Sequence, residues 1–405
     1  MNAYRDLLGR LVAARRFGMK LGLERMRSLL DRLGAPDRRL GTVVHVAGTN
    51  GKGSTVAMIA QAARNAGKRV ATYTSPHLST LRERIQIDGA LVSEPQIVEA
   101  AGGVDPELTF FEQITAIGLR IIADAQPEIT VLEVGLGGRL DATNAVAAEI
   151  AVVTGVAMDH EAILGPTLAD IAREKAGIFK PGQRAVIGLS GEPEAVPWLL
   201  EHARAAGVAS VSLADQPAPT PLLGLYQHTN AAIAAEVARL LGIAADFTGT
   251  AHPGRFERAG DLILDGAHNP HGARALADTL RSLGLRPVLV IAASADKDLA
   301  SLAAALRPVV SHVIATRYQQ ERSADPAQLA ALFDGGESAP DLETAVTRAR
   351  ALGSPILIAG SLFLVGEARV RYLGAPADPV FVTDPSAGPA ASAALPPTTS
   401  RGTST

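Results

Sequence analysis

The sequence predicts an α/β protein whose parallel sheets are covered by helices on both faces. Apolar strand-like runs alternate with alanine-rich helical stretches from residue 42 to about residue 370, and strands buried on both faces read as continuous apolar runs. A glycine-rich loop joins the first run to a stretch at residues 54–66, where apolar residues fall at helical spacing. In open sheets of this kind, ligands bind at the carboxyl ends of the strands. Polar residues that directly follow a run are therefore the candidates for a functional site.

The predicted strands divide into two series. They are residues 42–47, 69–73, 129–134, 150–154 and 185–189, followed by residues 262–264, 288–291, 312–315 and 356–359. A turn-rich passage at residues 252–255 separates the two series. We therefore predict a P-loop-type parallel-sheet domain over residues 1–252 and a smaller Rossmann-like domain over residues 253–376. The composition then changes to Pro, Ala, Ser and Thr, which predicts a disordered tail over residues 377–405.

Length and composition indicate a soluble globular protein of two domains. At 405 residues the chain exceeds one ordinary core, and 47% of its residues are hydrophobic and 20% charged. No apolar run approaches the roughly 20 residues that span a bilayer, and the first residues lack the pattern of a signal peptide. The absence of cysteine excludes disulfides and thiolate metal sites and fits a reducing cytoplasm. The net charge of −3 argues against nucleic acid as the partner.

The segment 46–55 reads as a phosphate-binding loop. It places glycines, Lys52 and a hydroxyl between a strand and a helix, so that backbone N–H groups and the positive helix N-terminus can close on an anion. The loop departs from the common P-loop, which has a glycine where Val46 stands and a Ser or Thr where Gly53 stands. A plain glycine turn is the alternative, and we favour a nucleotide site of an unusual subtype.

Further polar candidates follow the strands of the first series. Glu133 is followed by a glycine-rich turn, which suits a Mg²⁺ ligand beside phosphates, the alternative being a carboxylate that caps the next helix. Ser75 and His160 also follow predicted strands, and for His160 a structural role is the alternative to a functional one. Lys175 lies in an alanine-rich helix, where a lysine is usually solvated. If it is buried instead, its neutral and reactive amine is favoured.

The second series begins with a strand that ends in a polar turn, Asp265 to Asn269. The Asp265 carboxylate can accept a hydrogen bond from a ribose or an adenine edge, and His268 can face a phosphate or an acyl group. A turn capped by Asp and Asn is the alternative. Arg255 lies in the predicted hinge, where it can stabilise negative charge that develops on a nucleotide between the domains.

Together these motifs resemble the folylpolyglutamate synthase/dihydrofolate synthase family of the Mur-ligase superfamily, over a match that runs from about Leu21 to Val370. Residues 48–54 resemble the phosphate loop of that family, which explains the departure from the common P-loop. The other segments that resemble family motifs are residues 74–78, 110–113, 133–144, 174–178, 227–230, 254–257, 264–270, 296–298 and 360–367. Each motif is weak alone, and their joint presence in this order makes the resemblance specific. One departure is Tyr226, where many relatives have histidine, and we assign it no role.

The resemblance implies a role for each matching position. Those expected to bind ATP are Gly51, Lys52, Gly53, Ser54, Asn230, Arg255 and Asp265. Those expected to hold two Mg²⁺ ions are Ser75 and Glu133 for one and His160 for the other. The expected catalytic residues are Lys52, Lys175 and His268, and Lys175 is expected to be carbamylated by CO₂ to N6-carboxylysine.

The resemblance also implies a substrate pocket in the first domain, which makes it an ATP- and folate-binding domain. The positions expected to bind the pterin or folate are Leu21, Gly22, Leu23, Glu24, Phe110, Phe111, Glu112, Gln113, Leu140, Asp141 and Ala142. Rotation of the second domain about residues 253–254 is expected to complete the site.

The implied activity is that of an ATP-dependent acid–amino-acid ligase. ATP would convert a substrate carboxylate to an acyl phosphate, and L-glutamate would then form the amide. The expected acceptors are dihydropteroate, the γ-carboxylate of folate polyglutamates, or both, with Mg²⁺ as the cofactor. We expect a cytoplasmic monomer that binds small molecules, with neither nucleic acid nor membrane as partner. The alternatives are folylpolyglutamate synthase activity alone, a sister Mur-type ligase, a P-loop kinase or motor ATPase, and an inactive nucleotide-binding protein.

Overall fold

The structure, a computed structural model, describes residues 2–14 and 22–383. Within these residues, eight strands form the first sheet. They are β1 (Thr42–Ala47), β2 (Val70–Tyr73), β3 (Ile85–Ile87), β4 (Ala90–Leu91), β5 (Ile129–Glu133), β6 (Ile150–Val153), β7 (Arg184–Gly188) and β8 (Ser210–Ala214). Their order is β4-β3-β2-β5-β1-β6-β7-β8. The six strands β2, β5, β1, β6, β7 and β8 are parallel, whereas β3 pairs antiparallel with β2 and with the edge strand β4.

Helices cover both faces of the first sheet. They are α1 (Ala3–Ala14), α2 (Glu24–Arg32), α3 (Lys52–Asn65), α4 (Glu94–Ala100), α5 (Phe110–Ala125), α6 (Glu161–Leu164), α7 (Leu168–Ala176), α8 (Val196–Ala205) and α9 (Leu225–Leu241). On one face, Val44 and Val131 of the sheet pack with Ile59 of α3 and Ile233 of α9 in one buried cluster. On the other face, α5 packs over one part of the sheet and α7 and α8 over the rest.

The register of the central strands brings the candidate residues together. β1 pairs with β5 so that Val46 lies opposite Glu133, and it pairs with β6 so that Ala47 lies opposite Val153. The three strands therefore end at nearly the same level. These strands are mostly apolar on both faces, with His45 and Thr130 as buried exceptions, and Glu133 stands at this edge, beside the glycine loop that follows β1.

A second sheet, of six strands within the described residues, forms the second domain. The strands are β9 (Glu257–Ala259), β10 (Leu262–Asp265), β11 (Val288–Ile291), β12 (His312–Ala315), β13 (Glu337–Ser338) and β14 (Ile356–Ala359), in the order β13-β12-β11-β14-β10-β9. β9 is antiparallel to β10 and the other pairs are parallel. The helices are α10 (Pro270–Ser282), α11 (Leu299–Leu306), α12 (Pro326–Ala330), α13 (Leu342–Leu352) and α14 (Leu362–Leu373). Nowhere in residues 2–14 and 22–383 does a helix combine the length and apolar character needed to cross a membrane.

The fold class predicted from the sequence is confirmed, and each predicted strand is present with its ends within one residue of the prediction. The strands that the sequence did not predict are β3, β4, β8, β9 and β13. They are short or partly exposed edge strands and therefore lack a continuous apolar run. The predicted boundary at residue 252 falls within residues 242–256, which connect α9 to β9.

Residues 376–383 return from α14 to the first domain, which differs from the prediction of a tail that starts at residue 377. The Asp378 carboxylate accepts hydrogen bonds from Tyr4 Oη at 2.9 Å, from Thr80 Oγ1 at 2.6 Å and from Leu81 N at 2.7 Å. Val382 is buried in the same cluster as Tyr4. One carboxylate with three donors and one buried valine thus offset the low apolar content on which the prediction rested. Residues 1, 15–21 and 384–405, which include the candidate Leu21, lie outside the described residues.

We expect Asp378→Ala to lower the free energy of unfolding by about 2 kcal/mol, because it leaves buried donors on Tyr4, Thr80 and Leu81 without an acceptor. Urea unfolding followed by circular dichroism measures the change. Asp124→Ala is the control, since the Asp124 side chain is 71% exposed and lies 3.9 Å from its ionic partner; its effect should stay below about 0.5 kcal/mol. Equal effects of the two substitutions would contradict a stabilising role for Asp378.

Candidate active site

A cleft of about 1110 Å³ lies between the domains, at the carboxyl ends of both sheets. Its walls are formed by the phosphate loop and neighbouring turns of the first domain and by the turn after β10 in the second. The candidates for nucleotide binding, metal binding and catalysis all line it. They are Gly51, Lys52, Gly53, Ser54, Ser75, Glu133, His160, Lys175, Asn230, Arg255, Asp265 and His268. The fold therefore brings together residues that are more than two hundred positions apart in the chain, such as Gly51 and His268, and their individual roles stay predictions.

The phosphate loop turns directly into α3. Gly51 has a φ of 83° and is the N-cap of that helix, and Gly48 has a φ of 149°. Both values lie in the region that glycine adopts readily and other residues rarely adopt. Lys52 Nζ donates to Gly48 O at 3.1 Å and to Thr49 O at 3.3 Å, so its ammonium lies over the loop. The N-terminus of a long helix and a lysine at the same spot favour a bound anion.

Three glycines of the loop are in close contact with three other segments of the protein. A Cβ atom on Gly48 would collide with Thr154 Oγ1, and one on Gly51 would collide with Asn230 Oδ1. A Cβ atom on Gly53 would lie 2.7 Å from Cε1 of His252. The last contact gives the physical reason for the glycine that stands in place of the usual Ser or Thr. The hydroxyl of the loop is instead that of Ser54, which is 3% exposed.

Glu133 and Ser75 form a polar pair at the end of β5. Ser75 N donates to Glu133 Oε2 at 3.2 Å. Burial raises the pKa of Glu133 above its usual value, while the charges of Lys52 and Arg255 act in the opposite direction. Ser75 Oγ is buried and has no hydrogen-bond partner among the described residues. A carboxylate that is costly to keep charged and an unpartnered hydroxyl beside it are suited to a cation.

These two side chains fit a Mg²⁺ ion that completes its coordination with substrate oxygens. Within the described ranges, no cluster of three or more His, Cys, Asp or Glu side chains is arranged to hold a metal by itself. Mg²⁺ is commonly held by one or two carboxylates together with phosphate oxygens and water, so such a cluster is not required. The donors of Ser75 and Glu133 are therefore compatible with the metal that the sequence predicts.

His160 lies at the start of α6 with a φ of 54°, and its side chain is 41% exposed toward the cleft. Desolvation lowers its pKa to about 4, and the cations Lys297 and Lys175 act in the same direction. The imidazole is therefore neutral at pH 7, which is the form that binds a metal.

Lys175 is buried in the last turn of α7, with 4% of its surface exposed. Its Nζ donates to Gly48 O at 3.0 Å, so Lys175 contacts the phosphate loop. Burial, followed by the charge of Lys52, lowers the pKa of Lys175 to about 7. The sequence left open whether Lys175 is solvated or buried, and in the structure it is buried. A large fraction of its amine is therefore neutral at pH 7.

A polar network joins the domains beside the phosphate loop. Lys297 Nζ donates to Asp159 Oδ1 at 3.0 Å, and Asn269 Nδ2 donates to Asp159 Oδ2 at 3.0 Å. Asn50 of the loop lies 3.3 Å from Asn269 Nδ2 and 3.0 Å from Nδ1 of His271. Burial opposes the charge of Asp159, but His160, Lys297 and His268 outweigh it and hold its pKa below the usual range.

The sequence did not identify Asn50 and Lys297 as partners across the cleft. The signal available for Lys297 is its place in Asp296-Lys-Asp298, a few residues after β11. That position lies at the carboxyl end of a strand, where ligands and interdomain contacts concentrate in open sheets.

Arg255 lies in the linker just before β9, whereas Asp265 ends β10 and His268 lies in the turn that follows β10. The Asp265 carboxylate accepts from Phe256 N at 2.8 Å and from Ala267 N at 2.9 Å, and burial raises its pKa although Arg255 opposes this. His268 Nδ1 lies 2.8 Å from Gly266 O, so Nδ1 donates and Nε2 is left as an acceptor toward the cleft. Burial and the charge of Lys297 lower the pKa of His268 to about 4.

The residues expected to bind pterin or folate divide into two groups. Those that line the cleft are Gly22, Phe111, Glu112, Leu140, Asp141 and Ala142. Those that do not line it are Leu23, Glu24, Phe110 and Gln113. Phe110 is fully buried in the core of the first domain, and Gln113 Nε2 donates to Leu108 O at 2.8 Å. Only one of the paired phenylalanines lines the cleft because consecutive residues of α5 point about 100° apart, and a role of these residues in substrate binding stays a prediction.

Two cleft residues of this group also hold local structure. Glu112 accepts from Thr109 N at 2.9 Å in a capping box that starts α5, and from Arg25 Nη2 at 2.7 Å. The Asp141 carboxylate accepts from Gly135 N and Leu136 N, both at 3.0 Å, and so fixes the turn after Glu133. Burial raises the pKa of Asp141, and these hydrogen bonds oppose the rise.

Comparison with known protein families identifies both domains. Residues 46–216 match the Mur ligase middle domain, and residues 254–362 match the Mur ligase glutamate ligase domain. The dihydrofolate synthase/folylpolyglutamate synthase of Bacillus subtilis is 30% identical, over 91% of this chain and 99% of the relative. A relative from Haloferax volcanii, named "Probable bifunctional folylpolyglutamate synthase/dihydropteroate synthase", is 36% identical over 91% of this chain. The chain spans about half the length of that relative, 50%.

Solved structures of similar proteins share the whole architecture. The Escherichia coli FolC structure in complex with DHPP and ADP matches with a TM-score of 0.82 and 31% identity, over 92% of this chain and 98% of that one. A bifunctional folylpolyglutamate synthase/dihydrofolate synthase with Mn, AMPPNP and L-glutamate bound matches with a TM-score of 0.79 and 30% identity, over 88% and 95% of the two chains.

The buried amine of Lys175 predicts a pH-dependent stability. The lysine pKa is 10.5 in its ordinary state and about 7 in the fold, so between these values the unfolded chain holds a proton that the folded chain has released. Stability therefore rises with pH in this window. Relative to Lys175→Met, we expect the free energy of unfolding of the unsubstituted protein to rise by about 2 kcal/mol from pH 7 to pH 9.

Urea unfolding in CO₂-free buffer at pH 7, 8 and 9 measures this difference without reaction of the amine. Lys68→Met is the matched control, because the Lys68 side chain is 43% exposed and the difference should then be flat. A flat difference for Lys175→Met as well would contradict the lowered pKa.

Proposed function

This chain belongs to the dihydrofolate synthase/folylpolyglutamate synthase group of the Mur ligase family, and we propose that it joins L-glutamate to a folate-type carboxylate at the expense of ATP. The acceptors are the carboxylate of dihydropteroate and the γ-carboxylate of folate polyglutamates. The observation that supports this most directly is the cleft, which is lined by the phosphate loop and the pair Ser75 and Glu133 of the first domain together with Arg255 and Asp265.

In the first proposed step, an oxygen of the acceptor carboxylate attacks the γ-phosphorus of ATP. The bond from that phosphorus to the β–γ bridging oxygen breaks, ADP leaves, and an acyl phosphate forms. Lys52 and the N-terminus of α3 hold the phosphates, and Arg255 faces them from the linker. Fixed cations at this place oppose the charge that builds up on the transferring group.

Magnesium ions would supply further neutralisation of the phosphate oxygens when bound. We propose that Ser75 and Glu133 hold one ion and His160 holds a second. The unpartnered Ser75 hydroxyl and the neutral imidazole of His160 support this assignment. The similar bifunctional synthase with Mn and AMPPNP bound supports a divalent metal beside the nucleotide.

In the second proposed step, the amine nitrogen of L-glutamate attacks the acyl carbon. The carbon–oxygen bond to phosphate breaks, inorganic phosphate leaves with the bonding pair, and the amide nitrogen loses its extra proton to solvent or to the leaving phosphate. His268 Nε2 is an acceptor on the cleft wall, and we propose that it orients the intermediate or the attacking amine.

We propose that Lys175 is carbamylated in the active enzyme. The neutral amine attacks the carbon of CO₂ and releases a proton, so that a cation becomes an anionic carbamate. Two observations support this: the pKa of Lys175 is lowered to about 7, and its Nζ lies at the phosphate loop. A carbamate there is surrounded by Lys52 and by the proposed metal sites, which would stabilise its charge.

The aromatic part of the substrate would bind against the first domain. Phe111, Leu140 and Ala142 offer apolar surface on the cleft wall, and the turn fixed by Asp141 packs against the Phe111 ring through Gly135. Stacking on an aromatic ring and apolar contact suit a flat pterin.

We also propose that the protein acts as a monomer in the cytoplasm. The absence of cysteine from the sequence is in keeping with that reducing compartment.

One assay tests the proposed function. Purified protein with MgATP and L-glutamate is offered dihydropteroate or tetrahydrofolate separately, and the products are identified by mass. We expect the addition of one glutamate to each acceptor. Addition to tetrahydrofolate alone would favour the alternative of folylpolyglutamate synthase activity without dihydrofolate synthase activity. Phosphate release that does not depend on glutamate would instead favour a kinase or a simple ATPase.

We expect Glu133→Gln to lower the rate of amide formation on the order of 100-fold or more, because it removes the charge opposite the metal while keeping the shape of the side chain. The ligase rate is measured over a range of Mg²⁺ concentrations. Glu201→Gln, an exposed carboxylate of α8 in the same domain, is the control. An unchanged rate in Glu133→Gln would move the metal elsewhere.

Lys175→Ala should fold and lose activity, and a short carboxylate in solution should restore part of it. The small side chain leaves a buried space beside Gly48, where acetate or formate can replace the carboxylate of the carbamate. The rate of amide formation is measured against the concentration of added carboxylate, with chloride at equal ionic strength as the control. Full activity of Lys175→Ala without additive would refute the carbamate.

A further inference from the structure

The imidazole of His252 occupies the space that a side chain at residue 53 would need. A Cβ atom on Gly53 would lie 2.7 Å from Cε1 and 2.9 Å from Nε2 of His252. In the common P-loop, the residue after the lysine has a hydroxyl side chain at this place, in reach of phosphate oxygens and Mg²⁺. Here a side chain from the interdomain linker fills the place, and the hydroxyl belongs to the next residue, Ser54.

Ser54 Oγ has two hydrogen-bond partners, one of which is His252. Ser54 Oγ accepts from Gln227 Nε2 at 3.1 Å and lies 3.1 Å from Nδ1 of His252. Gln227 is fixed in turn, since its Oε1 accepts from Asn230 Nδ2 at 2.9 Å, and Asn230 Oδ1 accepts from Ser190 Oγ at 2.7 Å. Burial and the charge of Arg255 lower the pKa of His252 to about 3, so its ring is neutral and has an acceptor nitrogen.

One lone pair of Ser54 Oγ is left by this arrangement. A serine hydroxyl has one hydrogen and two lone pairs. Gln227 takes one lone pair, and in the His252 tautomer that carries its hydrogen on Nε2, Nδ1 accepts the hydrogen of the hydroxyl. The remaining lone pair belongs to a residue that lines the cleft. Without an acceptor at residue 252, the hydroxyl would rotate and its lone pair would lose this direction.

The turn that contains His252 also contains Arg255. Arg255 N donates to His252 O at 3.2 Å, and Gly266 N donates to Gly254 O at 2.8 Å, so the turn is bonded to the end of β10. The charge of Arg255 acts on both Glu133 and Asp265. The same short turn thus contacts the phosphate loop through His252 and places the positive charge of Arg255 near Glu133 and Asp265.

We propose that His252 is a positioning residue for the nucleotide: it accepts the hydrogen of the Ser54 hydroxyl, directs the free lone pair of Ser54 toward the phosphate end of MgATP, and couples the interdomain linker to the phosphate loop. Gly53 is part of the same arrangement, because only a residue without a side chain leaves room for the His252 ring. The inference rests on the proposed use of ATP.

The test compares two substitutions of His252 that differ in one property. His252→Phe keeps a ring but has no acceptor, whereas His252→Asn puts an amide oxygen where Nδ1 was. The Kd of MgATP, measured by isothermal titration calorimetry, should rise about 5- to 10-fold in His252→Phe, as expected for one lost hydrogen bond. It should stay within about twofold of the unsubstituted value in His252→Asn. His312→Phe, at an exposed histidine of the second domain, is the control and should leave the Kd unchanged.

A double substitution shows whether His252 acts through Ser54. Ser54→Ala should weaken MgATP binding, and adding His252→Phe to it should cause no further loss, because the hydrogen that His252 accepts is already absent. Additive losses, equal losses in His252→Phe and His252→Asn, or unchanged binding in His252→Phe would each overturn the inference. Binding of MgATP without amide formation would refute the proposed function alone, since the Kd comparison does not depend on the ligase reaction.

The glycine gives a second and independent measurement should His252→Phe fold poorly. Gly53→Ala should weaken MgATP binding markedly in the presence of His252, because the new methyl group meets the ring. In a His252→Ala background, the same substitution should have an effect smaller by at least about threefold, since the ring is gone. Equal effects in the two backgrounds would overturn the claim that the ring and the side chain at residue 53 compete for one space.

Discussion

The close packing around the phosphate loop is the constraint on which both sides of the cleft depend. Gly48, Gly51 and Gly53 each leave room for a side chain from another segment, namely from the end of β6, from α9 and from the interdomain linker. A methyl group at any of the three would have to displace a side chain of one of those segments. The loop is therefore a junction at which three otherwise separate parts of the chain are positioned relative to the N-terminus of α3.

Two buried ionisable groups of the cleft lower the stability of the folded protein and are suited to binding a ligand. Glu133 is buried with a raised pKa, and Lys175 is buried with a lowered one. Neither is joined to an opposite charge in a direct ion pair of the described residues, whereas Asp159 and Lys297 at the rim are paired at 3.0 Å. Burial without a partner costs stability and is usually found where a substrate or metal completes the balance. The paired charges join the domains, and the unpaired ones are those expected to meet ATP and its metal.

The sequence predicted the parts of the fold that local patterns determine. Continuous apolar runs located the buried strands, and the glycine loop with Lys52 located one wall of the cleft between the domains. The pairing of Phe110 with Phe111 shows a limit, because both residues are equally apolar and only the phase of α5 decides which one faces the cleft. Contacts such as that between Asn50 and His271, which are 221 positions apart, depend on the packing of two domains. No window of the sequence contains that information, although a histidine before the hinge and a glycine in place of the usual hydroxyl residue were visible signs of the contact at Gly53.

The return of residues 376–383 to the first domain has a consequence for the order in which the protein can be completed. Val380 and Val382 pack against the cluster that contains Tyr4 and Leu7, and Asp378 binds Tyr4 itself. A ribosome releases these residues after the whole second domain. The first domain is therefore completed only after the second domain has been synthesised, and the apolar surface around Tyr4 and Leu7 stays uncovered until residues 376–383 have left the ribosome.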